Sequence, residues 1–211
     1  MNTEQLIQAM AADTQRTRPL EAVLPAALVA TALLFGGIFL LLMGVRPDLG
    51  AALRHFVVVL KTLLPLALAV GALGTVLHLS RPGDRPGPWR YLLVCVPAAI
   101  LLAMLAAGTG LAPAAIGAEV FKAGIASCVT VIPLISLPVA AASLWVLRRG
   151  ASIRPRLTGA MAGLMSAGAG ATMYSFYCTD DNPLFYGTWY TVAILVVTLA
   201  CAHAGGRLLR W

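Results

Sequence analysis

Charge is scarce in this chain, and its scarcity excludes several classes of function. Only 11% of the 211 residues are Asp, Glu, Lys or Arg, against about 25% in an average soluble domain. No Asp or Glu falls in the middle of any long apolar stretch. A proton or ion pump ordinarily carries a carboxylate or histidine relay at depth, so ion-coupled transport is disfavoured. No inverted internal repeat stands out, which disfavours a transporter further. The HExxH helix of a metalloprotease and a phosphate-cradling loop with its lysine are both missing. Ser127, Ser136, Ser143, Ser166 and Ser175 are scattered at helical spacing, where serines pack against neighbouring helices rather than attack substrates. The first 21 residues hold Glu4, Asp13 and Glu21 and no apolar run. They do not read as a cleavable signal, so the first hydrophobic helix is expected to be retained.

What the chain has in abundance is hydrophobic length: 60% of its residues are apolar. A hydrocarbon core of about 30 Å needs roughly 20 apolar residues of helix. Six stretches satisfy this: Ala22–Met43, Phe56–Leu79, Tyr91–Gly108, Ala123–Leu147, Leu157–Phe176 and Thr188–Gly206. The third reads as the weakest, because its end blurs into GTGLAPAAIG. Backbone groups in lipid must be satisfied within a segment, which demands helices, and continuous hydrophobicity argues against the alternating strands of a barrel. The expected fold is all-α, a polytopic membrane protein of six transmembrane helices. It divides into a cytoplasmic N-terminal amphipathic segment (1–21), the helical membrane domain (22–206) and a cytoplasmic tail (207–211).

The net charge of +7 raises the possibility of a nucleic-acid surface, but its placement points to the bilayer. Six spans put both termini on one side. That side carries Arg16, Arg18, Arg81, Arg85, Arg90, Arg148, Arg149, Arg154, Arg156, Arg207 and Arg210; the other carries Arg46, Arg54, Lys61 and Lys122. The positive-inside rule places both termini in the cytoplasm. No aromatic interleaving supports nucleic acid. Lys61 and Lys122 lie within about two turns of the outer edge, close enough to snorkel.

Of four cysteines, Cys95 and Cys201 sit near cytoplasmic helix ends and read as small hydrophobes. Cys128 and Cys178 lie at the outer ends of the fourth and fifth spans. The short joint RRGASIRPR makes these spans antiparallel neighbours, which can bring the two thiols together on an oxidising face. Cys178 lies in YCTDDNPLFYGTWY, beside Asp180 and Asp181, the only acidic pair in the chain. Tyr177, Tyr186, Trp189 and Tyr190 read as an interfacial aromatic belt. Two thiols can form a disulfide; two thiolates, with Asp180 and Asp181 as possible further ligands, can hold a soft metal ion. Passive thiols are the bland alternative.

Two further features are structural first. Gly159, Gly163, Ala167 and Ala171 recur at four-residue spacing and form a helix-packing seam; Pro133 and Pro138 are expected to kink the fourth span. At the N-terminus, Leu6, Ile7 and Met10 share one face of a short helix that Asn2 can cap. A helix this short is marginal alone in water, so the face is a candidate for docking on a partner.

The blocks TEQLIQAMAAD, GVRPDL, SLPVAAASLWVLRRGA, RPRLTGAMAGLMSAGAGA, YCTDDNPLFYGTWYTV and GGRLLRW resemble the NrsF family over nearly the whole chain. These are bacterial inner-membrane negative regulators, or anti-sigma factors, of extracytoplasmic-function (ECF) sigma factors of the sigma-F type. The resemblance implies a six-span protein, not an enzyme, that holds its sigma factor inactive at the membrane. It also implies that Cys128 and Cys178 match two cysteines associated with sensing heavy-metal or oxidative stress. No resident cofactor is implied, only transient heavy-metal binding. The alternatives are a small multi-pass transporter or channel and a structural subunit of a membrane complex.

Overall fold

A computed structural model describes residues 2–12, 20–80, 87–150, 152 and 154–210; Arg16, Arg18, Arg81 and Arg85 lie outside these. Every regular element among the described residues is a helix: α1 (Thr3–Ala12), α2 (Leu20–Met43), α3 (Leu49–Ala52), α4 (Phe56–Leu79), α5 (Arg90–Gly108), α6 (Pro113–Val120), α7 (Ile125–Leu147), α8 (Pro155–Ser175) and α9 (Pro183–Leu208). The boundaries follow local chemistry. Pro113, Pro155 and Pro183 each open a helix where a missing N–H costs nothing. Asn182 caps α9 by accepting from the Leu184 N–H at 2.9 Å. That cap and Pro183 start the helix five residues before the expected Thr188. Gly44, at φ +85°, turns the chain out of α2. α7 runs through Pro133 and Pro138 without a break.

Among the described residues five helices, α2, α4, α5, α7 and α9, are long and apolar enough to cross a membrane. The expectation that the third span is the weakest is corrected: α5 qualifies fully, and α8 is the one whose composition falls short. α8 is nonetheless 21 residues long, about 31 Å of helix. Its sequence is glycine, alanine and hydroxyl-rich because it is the interior of the bundle: 14 of its 21 residues are buried. It packs against α9, α4, α7 and α2. Gly168 leaves room for the Pro65 carbonyl and Ala69 of α4, and Gly163 for Cys201 and Thr198 of α9. Gly159, Gly163, Ala167 and Ala171 are all buried, as a packing seam requires. The buried hydroxyls of Ser136, Ser143, Ser166 and Thr172 donate to carbonyls one turn back, at 2.6–2.8 Å, so none is left unsatisfied in the core.

The outside of the bundle is apolar. Leu41 is 87% exposed, and Leu102, Leu134, Trp145 and Leu199 are also largely exposed. A contiguous greasy exterior on long helices belongs in lipid. The helices alternate in direction, so the bundle has two distinct ends. Arg90, Arg148, Arg149, Arg154, Arg156, Arg207 and Arg210 lie at one end, where the α7–α8 joint approaches α2 through Gly150 and Leu20. The cysteine pair lies at the other.

Candidate functional site: a dithiol held by buried cations

α8 ends in a tight turn. The N–H groups of Tyr177 and Cys178 both donate to the Tyr174 carbonyl at 3.0 Å, which places Cys178 just beyond the helix. Cys128 lies in the first turn of α7, its N–H bonded to the Gly124 carbonyl at 3.1 Å. Gly124 adopts φ +104°, a left-handed conformation that lets the chain turn sharply into α7. α7 and α8 are adjacent and antiparallel, which brings Cys128 and Cys178 to the wall of one cavity. The two thiols interact electrostatically, and both are free. Cys128 also donates to the Tyr174 hydroxyl at 3.5 Å. The exposures are 1% and 7%, and both residues line a cavity of about 330 Å³ walled also by Arg46, Ser127, Tyr177 and Asp180.

Cations surround the Cys178 turn. Lys61, in the second turn of α4, is 0% exposed, and its ammonium donates to the carbonyls of Cys178 and Asp180, each at 2.7 Å, and to Asp181 Oδ1 at 3.1 Å. Arg46 is 5% exposed and grips Asp181 with Nη1 and Nη2 at 2.8 and 2.9 Å. The same guanidinium holds Asp48 at 2.7 and 2.9 Å and reaches the Cys178 carbonyl at 3.3 Å. Its backbone N–H donates to the Phe176 carbonyl at 3.0 Å, so α2, α4 and the α8–α9 turn are joined at one point. Burial alone would raise the Asp181 carboxyl, but Arg46 and Lys61 outweigh it and hold the group below the ordinary carboxylate range. The Cys178 thiol is lowered by the hydrogen bond from Cys128 and, against its burial, by the Lys61 ammonium. The Lys61 ammonium thus favours the thiolate form of Cys178.

Several sequence expectations change here. Lys61 does not snorkel to the edge; it is wholly enclosed, because its ammonium finds three oxygens inward. Lys122 lies in the α6–α7 joint, paired with Glu119 and 3.9 Å from Asp180 Oδ2. Tyr186 and Tyr190 do not join an interfacial belt: both are buried, and their hydroxyls have no hydrogen-bond partner among the described residues. Tyr190 meets Tyr174 edge to face, with ring centres 5.7 Å apart. Asp181 is directed at the two cations, and Asp180, whose Oδ1 accepts from the Asn182 N–H at 3.1 Å, lines the same cavity as the sulfurs. Among the described residues no three of His, Cys, Asp and Glu gather as a metal-holding group. Cys95 is exposed on α5, and Cys201 is buried in the α8–α9 seam. Ile7 is exposed on α1; the side chains of Leu6 and Met10 lie outside the described residues. Arg46 and Lys61 are the functional candidates that sequence reasoning missed. The available signal was a lone lysine in an otherwise uncharged span, which must find a counter-charge.

This pattern of paired thiols at one end of a bundle can be set beside known proteins. Residues 9–211 match the NrsF family, described as negative regulator of sigma F. The chain belongs to the NrsF family. It is 34% identical to the anti-sigma-F factor NrsF of Caulobacter vibrioides and 34% identical to the probable anti-sigma-F factor NrsF of Azospira oryzae. Each alignment spans 223 positions and covers 100% of both chains. No solved structure matches the chain. Membership assigns a regulatory role, negative regulation of sigma F.

Proposed function

We propose that this NrsF-family chain is a six-span inner-membrane anti-sigma factor. It sequesters an ECF sigma factor of the sigma-F type at its cytoplasmic, arginine-bearing end and releases it when Cys128 and Cys178 are drawn together at the outer end. The observation that carries this reading is the pair of interacting thiols on the wall of one open cavity, in a protein related over its full length to anti-sigma-F factors. α8 serves as the sixth span, its small residues shielded from lipid by α4, α7 and α9. The one-sided arginines fit the positive-inside rule.

The chemistry has two routes to one outcome. With a disulfide oxidant, the Cys178 thiolate attacks one sulfur and expels a thiol. Cys128 then attacks the mixed disulfide, expelling the second. Two protein thiols become one disulfide, and the oxidant leaves as two reduced thiols carrying the protons. With a soft metal ion, both thiols lose their protons and the sulfurs bind the metal. Either way the start of α7 becomes joined to the end of α8. These helices are linked at the opposite end by residues 148–154, so a shift there reaches a partner bound inside. The two arrangements must bind the sigma factor differently for release to follow; a hundredfold release needs about 2.7 kcal/mol of difference.

The test is transcription from a sigma-F-dependent promoter. Cys128→Ser and Cys178→Ser each abolish induction by a soft metal or thiol oxidant and keep basal repression, and the double variant adds little. Cys95→Ser and Cys201→Ser respond as the wild type. Induction that survives in the double variant returns the pair to passive thiols.

A further inference from the structure

Lys61 supplies no atom to the sulfur chemistry beyond the charge that favours the Cys178 thiolate, yet it is the most costly side chain at the site. A buried ammonium is tolerated only where its donors are satisfied and its charge is paired; an apolar side chain would fill the same space without that cost. All three of its donors are used, and two go to backbone oxygens, those of Cys178 and Asp180. These carbonyls lie in the turn that starts at the residue carrying the sulfur. Arg46 divides the labour differently. Its shortest bonds go to the carboxylates of Asp48 and Asp181, and its contact with the Cys178 carbonyl is longer, at 3.3 Å. Arg46 thus anchors the acidic side chain, whereas Lys61 anchors the main chain of the turn. Cys128 is fixed by the first turn of α7, and the Cys178 N–H by the last turn of α8. The carbonyl side of Cys178 is held by α4, an element that contributes no thiol.

We propose that Lys61 is the positioning residue of the dithiol: its grip on the 178–180 backbone keeps the Cys178 sulfur facing Cys128. This rests on reading the pair as the sensor, and it is tested on the pairing itself. Without Lys61, Asp181 keeps both bonds to Arg46, so the turn remains attached to the bundle while its backbone loses its register.

The experiment uses the full chain in lipid nanodiscs, with Cys95 and Cys201 replaced by serine. Dibromobimane becomes fluorescent when two thiolates displace its two bromides and bridge it. Lys61→Met slows bridging by about tenfold more than it slows single alkylation of Cys178 by N-ethylmaleimide, which reads the thiolate lost with the ammonium, since misplacement penalises only the two-point reaction. Lys61→Arg, which keeps donors and charge, recovers bridging to within about threefold of the wild type. Arg46→Met, which breaks a comparable set of buried bonds, lowers the thermal midpoint yet bridges within about threefold of the wild type. Bridging by Lys61→Met that slows no more than single alkylation overturns the proposal, and so does an equal loss in Arg46→Met. If Lys61→Met does not fold, Lys61→Gln decides: bridging slowed beyond single alkylation supports positioning, and bridging slowed no more than single alkylation overturns it. Release of the sigma factor by oxidised wild-type chain is measured separately. A chain that is oxidised yet keeps its partner ends the sensor reading and leaves the Lys61 result standing.

Discussion

Asp181 neutralises two buried cations at once, Arg46 and Lys61. Asp181→Asn leaves both with a neutral amide, although Arg46 retains Asp48. Breaking a fully buried pair costs about 3–5 kcal/mol; the partial exposure of Asp181 reduces this to about 2 kcal/mol. The expected result is a lower thermal midpoint in detergent. The pH dependence has a definite sign. Because the folded carboxyl is held below its ordinary value, its contribution is complete above the ordinary carboxylate pKa of about 3.9 and is lost as pH falls through the depressed value. The difference between wild type and Asp181→Asn therefore shrinks only in strong acid. The thiol pair was legible from residues alone, because a short joint forces α7 and α8 to be antiparallel and so sets the height of each cysteine. The inward turn of Lys61 was not. α4 is apolar on all sides, and no periodicity tells which face meets the core.

Among the elements, α8 depends most on what its residues lack. A methyl group at Gly163 would sit 2.6 Å from Cys201 Cβ and 2.9 Å from Thr198 Cα. Backbone cannot yield there, so Gly163→Ala costs about 1–3 kcal/mol. Gly37, in α2, has nothing within 4 Å of the corresponding position, and Gly37→Ala is neutral or gains up to about 1 kcal/mol of helix propensity. Thermal midpoints of the two variants, measured side by side, check the contrast. The four-residue spacing of small residues announced the seam in the sequence, but not that α8 would be the central helix: small residues mark close approach without saying how many neighbours approach. The short helix α6 was hidden in a Gly/Pro-rich stretch, where Pro113 at its first position was the one usable sign. α1 is better foreseen. Gln5 accepts from the Asn2 N–H at 3.2 Å, a capping-box contact in which Asn2 contributes its backbone rather than its side chain. Deleting residues 2–13 is expected to weaken sigma-factor retention and leave membrane insertion intact, read by co-purification and membrane fractionation. Unchanged retention moves the contact to the joints at 80–90 and 148–156.

At the scale of the whole molecule, the bundle has two chemically different ends. One holds thiols, buried cations and an open cavity; the other gathers arginines around the α7–α8 joint. The regulator proposed here works only if the first end faces the cell exterior and the second faces a cytoplasmic sigma factor. A membrane-impermeant disulfide oxidant applied to intact spheroplasts tests both conditions together. The sigma factor is followed between membrane and soluble fractions, and the redox state of Cys128 and Cys178 is read by mass spectrometry. The account predicts that a Cys128–Cys178 disulfide forms and the sigma factor leaves the membrane fraction in the wild type, while the Cys128→Ser/Cys178→Ser chain retains it. Release from the double variant, or retention by a wild-type chain whose disulfide has formed, would contradict it.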